Sequence, residues 1–250
     1  ASTAEAQESV GVEIAEAVSE VLNGGRIRNA INMPSIDPKD LELLSPYLDL
    51  CQRLGSFARQ AAKGSVAAIH ISYFGKIVDF DCVPLTRAVQ KGWLSGVAGD
   101  EELNDVNAPY KIKDLGIKVE TIKSSSPVDY NELIAVKTIS SENCEQEVRG
   151  TLLGKGNDPR IVEVDGQAIE VRPVDTLLVV RNVDKPGIVG KLGTILGDFS
   201  VNIANMSLSR AEEGEWALTI CELDDEPPAS ALQALVDDSD IREARVSRQG

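Results

Sequence analysis

The chain has 250 residues and a formal net charge of −15, with 42% hydrophobic and 26% charged residues. That length provides for one large domain or two modest ones with proper cores. The acidic balance argues against a nucleic-acid or anionic-membrane partner, because neutralising phosphates needs clustered Lys and Arg, and no apolar run approaches a membrane span.

Residues 1–23 carry Val10, Ile14, Val18, Val21 and Leu22 at helical spacing behind a capping box, Ser2-x-x-Glu5, and Gly24-Gly25 supplies a stop. An apolar stripe starting at the first residue implies a packing partner upstream, as if the chain continued from something longer. Residues 26–36 read as extended, and two helices follow. The longer of these starts at Ser45-Pro46, with Tyr47, Leu50, Cys51, Leu54, Phe57 and Ala61 on one face and Gly64 at its end.

A strand at about 65–74, a short strand near 76–80, a helix after Pro84 and another near 107–116 come next. Strand patterns then occupy 117–123, 131–140, 144–153, 160–164 and 167–171, with Asp165-Gly166 as a two-residue hairpin turn between the last two. Residues 26–172 thus read as one mixed α/β domain.

The remainder, 173–250, reads as βαββαβ. Its strands lie near 175–181, 201–209, 215–223 and 241–247, and its helices near 187–199 and 228–237. That order is ferredoxin-like, with both helices on one face of an antiparallel sheet. In the first helix Ile188, Leu192, Ile195, Leu196 and Phe199 share one face, and Gly190, Gly193 and Gly197 line the other. Each glycine costs about 1 kcal/mol of helix stability relative to alanine, so the stripe invites close approach by another element, or marks a tolerated weak helix.

The loop into that helix, within the stretch RNVDKPGIVGKLG at 181–193, is the most informative local feature. Two nucleotide readings fail on spacing. Gly190-Lys191 is followed by Leu192 rather than a hydroxyl residue, and Gly187, Gly190, Gly193 and Gly197 never fall two apart. No dinucleotide cofactor is expected in this chain. Pro186 suits a first helical turn, the backbone N–H groups beyond it form an anion site, and Asp184 offers a carboxylate suited to an ammonium. Together these fit the two ends of a zwitterionic amino acid. An ordinary polar turn, with Asp184 as a helix-start charge, is the competing reading.

Several other groups carry no chemistry. Cys51, Cys82, Cys144 and Cys221 form no CxxC pair, which points to a reducing compartment, cytoplasmic or organellar matrix (a plastid included), with the thiols packed as small hydrophobes. The single histidine, His70, shares a strand face with Val66, Ala68 and Ser72, and no metal site is expected. Asp100-Glu101-Glu102, Glu212-Glu213 and Asp237-Asp238 read as solvated faces and turns, and no pair of them suggests acid–base catalysis.

Three segments resemble one family. ASTAEAQESVGVEIAEAV at the start is similar to the closing helix of the nucleotide-binding domain in D-3-phosphoglycerate dehydrogenases, and RIRNAINMPSI to the link that follows it in their long form. VVRNVDKPGIVGKLGTILGDFSVNIANMSLSR resembles the first half of their C-terminal ACT domain, a small-molecule sensing module. In the middle, VDFDCVPLTRAVQKGWL and VNAPYKIKDLGI resemble the intervening domain of the long-form enzymes.

The resemblance implies three parts. Residues 1–25 would be the terminal helix of a nucleotide-binding domain, 26–172 the intervening, allosteric substrate-binding domain, and 173–250 the ACT domain. The family's catalytic and NAD-binding residues would lie ahead of Ala1, so this chain would hold no catalytic residue and no cofactor of its own, with NAD bound elsewhere in the intact enzyme. It also places L-serine as effector at Asn182, Asp184, Gly187, Ile188 and Val189, with Asn202 contributed by the adjoining subunit of a homo-oligomer paired through ACT domains.

Arg160 and Arg172, on the two arms of the Asp165-Gly166 hairpin, match basic positions that bind a phosphate-bearing ligand in some long-form relatives, although Glu222 stands where a third basic position is expected. Interdomain salt bridges are the alternative use of these arginines. Two further functions stand beside serine sensing. One is a purely structural oligomerisation module. The other is the regulatory part of an ACT-linked serine dehydratase, which needs an iron–sulfur cluster that this cysteine spacing does not supply.

Overall fold

The computed structural model describes residues 3–22, 38–96, 103–126, 128–211 and 215–248, and the chain divides into two compact units, Ala1–Leu41 and Glu42–Gly250. Ser2 of the capping box, Gly24-Gly25, the extended stretch 26–36 and the acidic runs 100–102 and 212–213 lie outside the described residues. In the first unit the initial helix forms as α1 (Ala4–Leu22). Its Val10, Ile14, Val18 and Leu22 are exposed.

The larger unit opens on α2 (Pro38–Ala61), which carries Pro46 in its interior. Two helices parted at Ser45-Pro46 were the expectation, and one continuous helix is found. A proline inside a helix removes one ladder donor and costs about 3 kcal/mol. Here Leu44, Leu50, Cys51, Leu54, Phe57, Ala58 and Ala61 form one buried stripe across it, and that burial outweighs the lost bond.

Strand β1 (Val66–Gly75) alternates as its sequence requires, with Ile69, Ile71 and Tyr73 buried and His70 half-exposed. The short strand expected near 76–80 is instead a 3-10 turn, Lys76–Asp79. Gly75, at φ 78°, swings the chain out of the sheet there and buries Ile77. A Cβ on Gly75 would stand 2.0 Å from the Asn131 carbonyl oxygen, so glycine is required on both counts.

Helices α3 (Val83–Leu94) and α4 (Ala108–Asp114) follow, then β2 (Lys118–Ser124), β3 (Glu132–Ser140), β4 (Glu145–Leu153), β5 (Asp158–Val164) and β6 (Gln167–Val171). They complete a six-stranded sheet in the order β2-β1-β3-β4-β5-β6. β1 and β2 run parallel and the remaining pairs antiparallel. The hairpin between β5 and β6 turns on Asp165 at φ 50° and Gly166 at φ 79°, the paired left-handed residues of a type I′ turn.

The last segment forms β7 (Thr176–Val183), α5 (Ile188–Asp198), β8 (Ile203–Arg210), β9 (Trp216–Leu223), α6 (Ala229–Val236) and β10 (Ile241–Arg248). Its antiparallel sheet has the order β10-β7-β9-β8. The mixed α/β domain followed by a βαββαβ unit is therefore observed as expected. Leu178, Val180, Cys221 and Leu223 face Leu192 and Leu196 of α5 and Leu235 of α6 in one core cluster.

The opposite face of the central strands is buried as well, through Leu177, Val179, Leu218 and Ile220. On that side the α/β domain docks. The Arg245 guanidinium donates to the Ala61 carbonyl at 3.1 Å, and Arg53 to that of Pro173 at 2.6 Å. Of the four cysteines, Cys51, Cys82 and Cys221 are buried as expected, and burial pushes the Cys221 thiol up to about 12. Cys144 is exposed, contrary to expectation, because it sits in the β3–β4 turn.

Two sets of glycines separate cleanly. α2 and α3 cross at Gly55 and Gly92, where an added Cβ would stand 2.1 Å from the Val89 carbonyl oxygen and 1.8 Å from that of Gln52. At Gly190, Gly193 and Gly197 nothing lies within 4 Å, so among the described residues no element makes the close approach that the stripe invited. Gly92→Ala should therefore destabilise by about 1–3 kcal/mol or more through overpacking. Gly193→Ala should stabilise by about 0.5–1 kcal/mol through helix propensity. Urea denaturation of the two variants gives opposite signs if these packing environments are right.

Candidate functional site

The loop from β7 to α5 is pinned from three sides by main-chain bonds. Val183 N–H donates to the Asp240 carbonyl at 2.8 Å, Asp184 N–H to that of Glu215 at 2.7 Å, and Lys185 N–H to that of Val183 at 3.1 Å. Gly187 closes the loop at φ 91°, a left-handed conformation that explains the glycine there. The first turn closes with the Lys191 N–H on the Gly187 carbonyl at 3.0 Å, and no side chain caps the helix. The N–H groups of Ile188, Val189 and Gly190 precede the helical ladder, so this end of α5 carries partial positive charge. Ile188 is buried and Val189 half-exposed.

The charged side chains of this corner are paired with one another. Asp184 Oδ2 lies 3.2 Å from Arg210 Nε. Lys185 Nζ reaches Asp240 Oδ1 at 2.6 Å, while Lys191 Nζ reaches Asp238 at 2.9 Å and Asp240 Oδ2 at 2.5 Å. Hydrogen bonds from Lys185 and Lys191 hold the Asp240 carboxyl below its ordinary range, and hydrogen bonds to Asp240 and Asp238 raise Lys191. Asp238 is thus a partner of Lys191 and not the solvated turn residue expected from the Asp237-Asp238 run. Asp240 and Arg210 are the two residues at this corner that the sequence pattern left unnoticed. The Asp-Ser-Asp spacing at 238–240, just ahead of β10, was the available signal for the first.

The other expected residues are placed unevenly. Asn182 is fully buried on the helix-covered face, where Thr219 Oγ1 donates to its Oδ1 at 2.8 Å and its Nδ2 donates to the Val183 carbonyl at 3.0 Å. Asn202 precedes β8 instead of opening it, and its Nδ2 donates to Asp224 at 2.6 Å. Asn202 and Arg210 stand at opposite ends of β8, roughly 25 Å apart at about 3.3 Å per residue. One chain therefore joins Asp184, Gly187, Ile188 and Val189 and leaves Asn202 at the far end of the sheet.

Arg160 and Arg172 both meet carboxylates. Arg160 Nε lies 3.6 Å from Glu170, which is exposed. Arg172 is gripped harder. Its backbone N–H and its Nε and Nη2 donate to Glu222 at 2.9, 3.1 and 2.9 Å, and Asn205 Nδ2 adds a bond at 3.1 Å. Glu222 is 1% exposed. Burial pushes its carboxyl up, but the bonds from Arg172 and Asn205 outweigh that and hold it below the ordinary glutamate range. The residue standing where a third cation was expected is thus an anion that clasps the second one. Nearby, the Asp165 carboxylate of the hairpin accepts from Arg181 at 2.5 Å. His70 Nε2 stands 3.4 Å from Glu120.

Among the described residues no helix is long and apolar enough to cross a membrane, and no group of His, Cys, Asp or Glu is arranged to hold a metal ion. A six-stranded α/β domain joined to a ferredoxin-like unit defines a two-module regulatory-type architecture. Residues 43–165 match the D-3-phosphoglycerate dehydrogenase intervening domain and residues 176–239 match the ACT domain. The chain thus carries a match to each of these two domain families, in this order.

It is 37% identical to a D-3-phosphoglycerate dehydrogenase of Synechocystis over 98% of its length, covering 44% of that protein. It is 33% identical to that of Methanocaldococcus jannaschii over 98%, covering 46%, and 32% identical to that of Bacillus subtilis over 90%, covering 42%. The chain thus spans less than half the length of these curated relatives.

The clasp has a pH sign. A carboxyl lowered in the folded state contributes stability above the ordinary glutamate range, and that contribution is lost as pH falls through the lowered value. Glu222→Gln should cost roughly 1.5–3 kcal/mol at neutral pH, as expected for charge-assisted hydrogen bonds. The gap between the variant and the unaltered chain should narrow in acid. Urea titrations at pH 7 and pH 4 measure both effects.

Proposed function

We propose that this chain is the regulatory and assembly region of a D-3-phosphoglycerate dehydrogenase, sensing L-serine at paired ACT domains. In the intact enzyme that activity is the NAD-dependent oxidation of 3-phosphoglycerate, the entry to serine synthesis. The observation that carries the reading is the β7–α5 corner. A half-buried carboxylate, Asp184, adjoins the uncapped N-terminus of α5, and main-chain bonds fix both. The spacing suits an amino acid's ammonium at one point and its α-carboxylate at the other. Gly187 lets the chain turn there, and Ile188 and Val189 supply the amides.

Pairing of two ACT units completes the site in this reading, with Asn202 supplied by the adjoining subunit. The exposed edge strand β8, with Ala204, Asn205, Leu208 and Arg210 open to solvent, is the surface for it. A purely structural oligomerisation module is the second reading, favoured by one observation. Asp184, Lys185, Lys191, Arg210, Asp238 and Asp240 each already have an internal partner. A phosphate-bearing ligand at Arg160 and Arg172 would have to displace Glu170 and Glu222, so the function is not routed through them. NAD would bind outside this chain, and NADH fluorescence should show no saturable enhancement with it.

Asp184→Ala deletes a charge-assisted contact and should weaken L-serine binding by roughly 10–100-fold in calorimetry. Asn202→Ala should cost less, about 1 kcal/mol, because its contact is neutral. Equal serine affinity in Asp184→Ala and the unaltered chain would leave the loop as a helix start alone. Sedimentation should show a dimer or larger species at micromolar protein, and a monomer at high micromolar concentration would remove the paired-domain part of the reading.

A further inference from the structure

We infer that Arg210 is a specificity-determining residue of the β7–α5 corner, and that Asp184 and Arg210 together receive the two ends of a zwitterion. This rests on the amino-acid-sensing reading above and adds a side-chain partner for the α-carboxylate beside the amides of α5. Arg210 ends β8, and its Nε reaches over the start of β9 to Asp184 Oδ2 at 3.2 Å. The Asp184 N–H and the Ala211 N–H are tied to the adjacent carbonyls of Glu215 and Trp216, so the two charges are held in register by the backbone beneath them.

Three features mark this pair as a receptor and not as a closed structural bridge. Arg210 is three-quarters exposed, at 75%, while Asp184 is 27% exposed. The Arg210 guanidinium stands 3.2 Å from the carboxylate, through Nε. At the interdomain clasp Arg172 uses Nε and Nη2 on Glu222. Its exposure leaves the guanidinium at 210 accessible to a second carboxylate, the bidentate partner it suits best. Third, the competing cations are spent. Lys185 and Lys191 are both committed to Asp238 and Asp240.

An exposed ion pair is weak, so a ligand that brings its own ammonium and carboxylate can separate the two side chains and pair with both. A zwitterionic α-amino acid satisfies both charges, whereas an amine lacking the carboxylate meets Asp184 alone and leaves Arg210 displaced. Discrimination between those two ligand classes is what Arg210 would supply.

The test is calorimetry of the full chain with L-serine and with ethanolamine, using the unaltered protein, Arg210→Gln and Arg210→Lys. Thermal unfolding serves as a check on folding, and the exposure of position 210 makes the substitutions mild. The expected result is a 10- to 50-fold loss of serine affinity in Arg210→Gln, partial recovery in Arg210→Lys, and a collapse of the preference for serine over ethanolamine. Serine binding in Arg210→Gln that equals or exceeds the unaltered chain's overturns the inference and makes Arg210 a competitor for Asp184. A parallel loss for serine and ethanolamine also overturns it, since a merely structural role acts on both alike. If Asp184→Ala loses serine while Arg210→Gln does not, the amino-acid reading stands and only this inference falls. No serine binding by the unaltered chain removes both.

Discussion

A carboxylate buried where two sheets meet governs how this molecule is put together. Glu222 lies on the face of β9 that its own module's helices do not cover, with Leu177, Val179 and Ile220 around it. An isolated charge there would carry a desolvation cost of several kcal/mol, so it must be paired. Its partners come from the end of β6, through Arg172, and from β8, through Asn205. The same face of the small sheet is apolar on its central strands, and the α/β domain covers it. The ACT unit is consequently a layer of a larger core, with its helices on one side and the intervening domain on the other.

That arrangement makes β8 the element that both modules share. It carries Asn205, bonded to Glu222, and Ser207, whose hydroxyl donates to the Glu170 carbonyl at 2.5 Å. At its end it carries Arg210, paired with Asp184. The strand thus contacts both the β7–α5 corner and the domain junction. The hairpin tip adds a second junction contact through Asp165 and Arg181.

The strong negative charge also acquires a meaning in the packing. Arg172, Arg181, Arg210 and Lys191 each meet a carboxylate of another element, so acidic residues serve here as fasteners between strands, helices and domains. Surface pairs of this kind contribute little singly, and the half-buried ones fix geometry more than they add stability. The pair at Asp184 is the exception in exposure, because Arg210 lies open to solvent.

The amino-acid sequence by itself determined the order of elements from 83 onward, the βαββαβ unit and the Asp165-Gly166 turn. Period-2 and period-3.6 patterns and turn residues are local properties, and they survive whatever the tertiary context. It also singled out the β7–α5 loop as a candidate ligand site, because Pro186, Gly187 and Asp184 lie within four residues of one another in the chain. Where tertiary burial competed with local preference, the sequence misled: Pro46 reads as a helix start, yet the helix runs through it, and residues 76–80 read as a strand, yet Gly75 and the burial of Ile77 fold them into a turn. Only the tertiary structure decided which charges meet. Asp240 with Lys185 and Lys191, Arg210 with Asp184, and Glu222 with Arg172 are separated by tens of residues in the chain, and sheet register brings them together. A charge's partner is a matter of position in space, and a one-dimensional pattern records only that the charge exists.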